Sequence, residues 1–355
     1  MKTNKINIIL FSIISMIIIF NTSSSTNTCY ALEPNTKDLV KYDGNIEHIF
    51  FHSLIVYPEL AFDTKGHSAD GYNEWYVTVT EFKRILPLLK ERGFILVNTD
   101  DVLTLDENRK LVRKDLYLPK GKKPLIISQD DVNYYKFMDQ DGFTKRLVLD
   151  KNNEVSTLVK NPTSNQYSIS RDGDLVPILD DYIKNNPDFS YQGAKGILGV
   201  TGYEGVFGYD IEDNSNLEQL TKITTRLMEN GWEIASHSYT HNGKGFFGDN
   251  PIYNKLVYDF DKWDRKIRPI IGDTNIFISP YGITLDGENF KLVKKHGFSI
   301  YCCVDRNSCL SIKDNTIIMP RFNIDGFTMN KCREDINKKF FDVDKVIDGN
   351  RPKLK

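Results

Sequence analysis

Short apolar runs alternating with amphipathic stretches of helical period constrain this chain more than any other feature. The runs at 48–57, 94–98, 125–128, 194–201, 232–235, 276–279, 298–304 and 316–319 have strand length. Between several of them, the stretches 78–90, 175–186, 217–230 and 252–271 read as helices, with Phe82, Ile85, Leu86 and Leu89 at helical spacing in the first. Gly93 and Gly231 close two of these helices, and Pro187 follows a third. Strand–helix–strand alternation with brief connections implies parallel strands and crossover helices, an α/β fold. Seven or so such strands predict a barrel, open or closed, more than a flat sheet. The rhythm lapses at about 133–191, where 143–150 and 154–160 flank Lys151-Asn152-Asn153 as a hairpin. That segment is predicted to be an insertion in a loop, too small for a core of its own.

Composition removes several function classes. The 355 residues carry 46 Lys+Arg and 48 Asp+Glu, a net charge of −2, so there is no basic surplus to neutralise nucleic-acid phosphates. Negative mean hydropathy excludes a polytopic membrane protein. Lys2 and Lys5 precede an apolar run at 8–20, followed by a Ser/Thr/Asn stretch and Cys29-Tyr30-Ala31. This is the layout of a secretory signal peptide over 1–31, cleaved after Ala31. The run is shorter than the ~20 residues that span a bilayer, so the membrane enters only through this segment if it stays uncleaved. The expected product is a monomer, secreted or associated with the cell surface or wall. It has a linker at 32–47, a domain at 48–345 and a polar tail at 346–355.

Cleavage removes Cys29 and leaves Cys302, Cys303, Cys309 and Cys332. Two disulfides with three possible pairings, a zinc site without the usual C-x2-C pair, and plain reduced thiols all remain open. In a strand, adjacent Cys302 and Cys303 would point to opposite faces.

Two elements carry chemistry. Asp130-Asp131 directly follow the apolar run at 125–128, at the carboxyl end of a strand, where active sites of parallel α/β folds gather. Of two adjacent carboxylates, one can ligate a metal while the other takes a proton. His237-Ser238-Tyr239-Thr240-His241 follows a second strand, and imidazoles at i and i+4 can grip one ion. An Asp with His-x3-His at two strand ends is a much stronger signal than either part.

The strings LIISQDD at 125–131, HSYTH at 237–241 and FISPYG at 277–282 resemble the ordered motifs of the NodB-homology polysaccharide deacetylases, carbohydrate esterase family 4. The likeness begins near His52 in FFHSL and runs to about Asp325. It implies a distorted (β/α) barrel that removes acetyl groups from an N-acetylated polysaccharide such as an N-acetylglucosamine-containing wall or extracellular polymer. By the same resemblance Asp131, His237 and His241 hold one divalent metal, with Asp130 as general base. Mixed N/O ligands suit Zn²⁺, with Co²⁺, Ni²⁺ or Mn²⁺ as alternatives. Pro280, Tyr281 and Tyr239 are expected at the substrate, with Tyr134, Tyr135 and Tyr203 beside the motifs as candidate sugar-stacking rings.

The chain departs from the family pattern at three places. Val132 stands where Gly usually follows the acid pair, and Ile278 stands where an Arg usually orients the base. The later Leu-x-His that supplies an acid has no counterpart, since no His follows His296. These losses resemble the exported poly-N-acetylglucosamine deacetylase branch. Arg321 is a candidate replacement cation. His52, ending the first strand, is a candidate acid, whereas His48 should lie at the opposite end. The alternatives are a glycan-binding protein with weakened catalysis on the same fold, or an O-acetyl esterase.

Overall fold

The computed structural model describes residues 39–353 except 64–66 and 308. The expected signal segment and the first part of the expected linker, 32–38, lie outside the described residues. Seven parallel strands close into a ring: β1 (Glu47–Phe51), β2 (Lys123–Gln129), β3 (Ile197–Val200), β4 (Glu233–Ser236), β5 (Ile276–Ile278), β6 (Ile300–Val304) and β7 (Thr316–Asn323). The order runs from β2 through β7 to β1 and back to β2. The distortion has a local cause, because one edge of β2 serves two partners. Its first half, Lys123–Leu125, pairs with the short strand Phe94–Leu96, and only Ser128 and Gln129 pair with β3.

Alternation along each strand builds two apolar layers. Ile126, Ile197, Ala235, Ile276, Ile300 and Met319 fill the lumen. Ile127, Leu198, Phe277 and Tyr301 face outward under the helices. Cys302 belongs to the lumen and Cys303 to the outer layer, as strand alternation requires. All four described cysteines are free thiols, and burial pushes Cys302 up to about 12.

Apart from single turns, the helices among the described residues are α1 (His67–Trp75), α2 (Val79–Glu91), α3 (Leu175–Asn185), α4 (Leu217–Glu229), α5 (Tyr253–Lys266), α6 (Gly287–Lys295), α7 (Gly326–Lys331) and α8 (Arg333–Lys339). A capping box starts α2: the Thr78 hydroxyl accepts the Glu81 N–H at 3.1 Å, and the Glu81 carboxylate accepts the Thr78 N–H at 2.8 Å. Its buried face is Phe82, Ile85, Leu86 and Leu89, the expected stripe. The helix expected over 252–271 ends at Lys266, and Pro269 sits in a separate turn, Arg268–Ile271.

The strand expected to end at Met319 instead runs through Pro320 to Asn323. On the edge that Pro320 faces, pairing passes from the arm Ser311–Lys313, opposite 316–318, to β1, starting at Phe322. A missing N–H in that gap costs no ladder bond. The continuation sets Arg321 inside the barrel.

The insertion contains the expected hairpin, Thr144–Leu149 with Val155–Lys160, and a third antiparallel strand, Tyr167–Ser170. At the end of the 133–191 range, α3 is the crossover between β2 and β3 and packs in the barrel's own outer core. The polar tail is docked: buried Arg351 donates to both Glu81 carboxylate oxygens at 2.7 Å, and to the Asn73 and Tyr76 carbonyls at 2.8 and 2.7 Å.

Candidate metal centre

The end of β2 sorts its polar residues by alternation. Ser128 and Asp130 face the lumen, while the Gln129 amide donates to Asp174 at 2.7 Å on the outer side. Asp131 then leaves the ladder at φ 57°, a left-handed conformation that a non-glycine residue holds only when its surroundings enforce it.

β4 delivers His237. Its Nδ1 lies 2.9 Å from the Ile278 carbonyl. A carbonyl only accepts, so Nδ1 carries the proton and Nε2 presents a lone pair. Lumen-facing Gly199 makes room for this arrangement, since a Cβ there would come within 3.2 Å of Ile278 and 3.5 Å of His237. The loop to His241 turns through left-handed Ser238 (φ 65°) and His241 (φ 43°). Asp259, buried on α5, accepts the N–H groups of Tyr239 and Thr240 at 2.9 and 2.8 Å and the Thr240 hydroxyl at 2.6 Å. One carboxylate thereby clamps the chain between the two imidazoles.

The structure thus brings Asp131, His237 and His241 together, with ligand atoms all within 4.8 Å of one another. Among the described residues no other group of three or more His, Cys, Asp or Glu gathers in this way. Asp131 Oδ1 lies 3.7 Å from His237 Nε2 and 3.4 Å from His241 Nε2, and this buried oxygen has no hydrogen-bond partner. An unpartnered buried carboxylate oxygen facing imidazole nitrogens is costly alone and fits a divalent cation. Burial lowers the pKa of His237 and favours its neutral, ligating form. Burial would raise Asp131, but the charges of His241 and His237 outweigh it and hold the carboxyl below its usual range.

Asp130 has a different partner. Arg321 grips it with two parallel bonds, Nη1 to Oδ1 at 2.6 Å and Nη2 to Oδ2 at 2.9 Å. The guanidinium also donates to Ser128 Oγ at 3.1 Å and lies 4.0 Å over the Phe50 ring. Burial alone would raise Asp130, yet the Arg321 charge, then His237, then the bonds from Arg321 hold it well below the ordinary carboxylate range. Arg321, the expected replacement cation, therefore pairs with Asp130.

His52 lies half-buried past the end of β1, its ring 5.5 Å from Tyr76. It is near enough for its charge to lower both Asp130 and Asp131. His48 sits deeper in the barrel, 2.9 Å from Ser128 Oγ, and burial lowers its pKa strongly. Pro280 is buried, whereas Tyr281 is 60% exposed at φ 56°; its hydroxyl donates to the His241 carbonyl at 2.9 Å and its ring is 4.9 Å from that imidazole. Tyr239 packs against Gly202, and the Lys262 ammonium lies 4.4 Å from the centre of its ring, so its ring faces are largely taken. Tyr134 is buried and donates to Asp174 at 2.6 Å, while the Tyr135 and Tyr203 rings meet at 5.8 Å.

Sequence reasoning missed Ser128, Asp174 and Asp259. Asp259 had a legible signal, since it falls on the same buried stripe as Leu256, Phe260 and Trp263. A carboxylate on an apolar stripe needs a donor to justify it.

No protein-family model matches the chain, and no curated protein matches it. Among solved structures, it is similar to a de-N-acetylase from Aggregatibacter actinomycetemcomitans, at 14% identity over 82% of this chain and 99% of that one, with a TM-score of 0.49. It is also similar to a putative polysaccharide deacetylase from Bacillus anthracis, at 13% identity over 85% and 69% of the two chains, with a TM-score of 0.47. A third is a Streptococcus pyogenes deacetylase in complex with acetate, at 13% identity over 85% and 99%, with a TM-score of 0.42. The barrel stands on its own strand order.

Proposed function

We propose that this protein is an exported, metal-dependent hydrolase that removes acetyl groups from an N-acetylglucosamine-containing polysaccharide. The observation that carries the reading is the pairing of two carboxylates with opposite circumstances. Asp131 has an oxygen without a donor beside two imidazoles, and Asp130 is saturated by an arginine. The first suits a ligand, the second a fixed anion. Asp131, His237 and His241 would hold one divalent ion, with Zn²⁺ the best match to the donor set. When bound, the ion polarises the acetyl carbonyl and lowers the pKa of water, which lets a carboxylate as acidic as Asp130 take that proton.

The chain's own residues do the rest. Arg321 keeps Asp130 ionised and fixes its plane. The Ile278 carbonyl keeps the His237 proton on Nδ1, away from the ligand position. The backbone N–H of Tyr281 would donate to the acetyl oxygen as charge develops there. His52, at the rim, would give a proton to the leaving amine. The apolar run at the chain's start supports export toward a wall or extracellular polymer.

Acetate release from a β-1,6-linked N-acetylglucosamine oligomer tests the reading, measured on metal-loaded and chelated protein beside an O-acetylated xylan. The expected result is release from the N-acetylated substrate, abolished by chelation and restored by Zn²⁺ or Co²⁺. Release from the O-acetylated glycan alone would make it an esterase. Full activity without metal would end the reading.

A further inference from the structure

We propose that Trp75 and Phe327 form a second sugar-binding subsite at the barrel mouth, distinct from the metal ligands. It would take a pyranose ring of the polysaccharide while a different unit presents its acetyl group. The inference rests on the polysaccharide reading above.

Both rings belong to the mouth. α1 lies in the connection that follows β1, and α7 follows β7, so both stand at the carboxyl ends of strands. The two rings stack at 5.7 Å with an interplanar angle of 24°. Core filling does not demand this tryptophan: Trp75 is 44% exposed, whereas Trp232 and Trp263 are buried. The chain has three tryptophans.

The pair is also held rigidly. Arg351 donates to the carbonyls of Asn73 and Tyr76, which bracket Trp75, and to the Asn73 side chain at 2.9 Å, while Glu81 fixes the guanidinium. Beside Phe327, Gly326 sits so close to Asn73 that a Cβ would fall 1.8 Å from its carbonyl oxygen. Only glycine permits α7 to approach α1 this closely. A rigid aromatic surface loses little entropy on binding, and the apolar face of a pyranose ring stacks on it while its hydroxyls stay wet. Arg306, following β6, places its guanidinium 6.0 Å from the Phe327 ring and can donate to sugar oxygens at the edge.

Position gives the subsite its meaning. Asp131, His237 and His241 follow β2 and β4, whereas Arg306, Phe327 and Trp75 follow β6, β7 and β1. A seven-stranded barrel is on the order of 14 Å across, more than one sugar ring. A polymer can reach both sets of residues, and a monosaccharide cannot.

Because Trp75 is the exposed tryptophan of the three, intrinsic fluorescence reports on it directly. The full mature chain is titrated with the N-acetylglucosamine monomer and hexamer while iodide quenching is followed. The hexamer should shield Trp75 from iodide and the monomer should not. Phe327→Ala should weaken that protection, and Trp75→Ala should raise KM for the polymer roughly 2- to 10-fold while kcat and the melting temperature hold. Trp75→Phe, which keeps a ring, should recover most of the KM. Protection without acetate release would uphold the subsite and sink the activity reading. Acetate release without protection, or protection by monomer and hexamer alike, would overturn the subsite.

Discussion

At the mouth of the barrel, Asp130 and Asp131 are buried beside an arginine and two histidines and are held below the ordinary carboxylate range. At the opposite end, Glu233 opens β4 with only Thr99, among the described residues, to satisfy it, through a backbone N–H at 2.9 Å and the hydroxyl. Desolvation, helped by the charges of Asp100 and Asp101, pushes Glu233 from about 4.5 up to about 7. Burial is common to both ends. Compensating positive charge is present at one and missing from the other, and that difference separates a site built to keep anions from a carboxyl that prefers its proton.

Removing the compensation at the mouth should have the largest effect. Arg321→Met leaves Asp130 buried without its partner, a change that costs roughly 3–5 kcal/mol and lowers the melting temperature by about 10 °C. Turnover of the folded fraction should fall on the order of 10³-fold or more, because the base is neither ionised nor oriented. Thermal melts and acetate release measure both. An active, stable variant would mean that Arg321 is not what holds Asp130.

His52→Ala comes next. If this imidazole protonates the leaving amine, turnover should drop on the order of 10²-fold while metal content and melting temperature hold. A variant that is only less stable, with normal specific activity, would make His52 a structural residue.

The smallest effect belongs to the far end and should leave catalysis untouched. The folded pKa of Glu233 lies above its unfolded value, so the native state binds the extra proton and stability falls as pH rises from about 4.5 to about 7. Glu233→Gln should therefore change little near pH 4.5 and stabilise the protein above pH 7 by up to roughly 3 kcal/mol. Equal melting-temperature shifts at pH 4.5 and 8 would contradict the assignment.

The two ends also differ in how much of them could be read in the sequence. Asp130, Asp131, His237 and His241 stand in two short contiguous strings, and strand–helix alternation placed both strings at strand ends. The partners that set their properties come from far along the chain. Arg321 meets Asp130 across 191 positions, and only because β7 continues past Pro320, where a proline rule argues for a stop. Asp174 gathers Leu54, Gln129 and Tyr134 at separations of 120, 45 and 40. Arg351 looked like part of a polar tail, and its pairing with Glu81 across 270 positions leaves no local trace. The third strand of the insertion, Tyr167–Ser170, lies at the sheet edge and is largely exposed, so it lacks the alternation that marks a buried strand.

The central claim is that Asp131 holds the ion and Asp130 moves the proton. Elemental analysis of metal content, with acetate release measured on the same preparations, compares the wild-type chain with Asp130→Asn, Asp131→Asn and His237→Ala. The account predicts one divalent ion per wild-type chain, retained by Asp130→Asn with most of its turnover gone, and lost from Asp131→Asn and His237→Ala. Metal lost from Asp130→Asn but kept by Asp131→Asn would reverse the two roles, and a wild-type chain that releases acetate at full rate with no ion bound would contradict the account altogether.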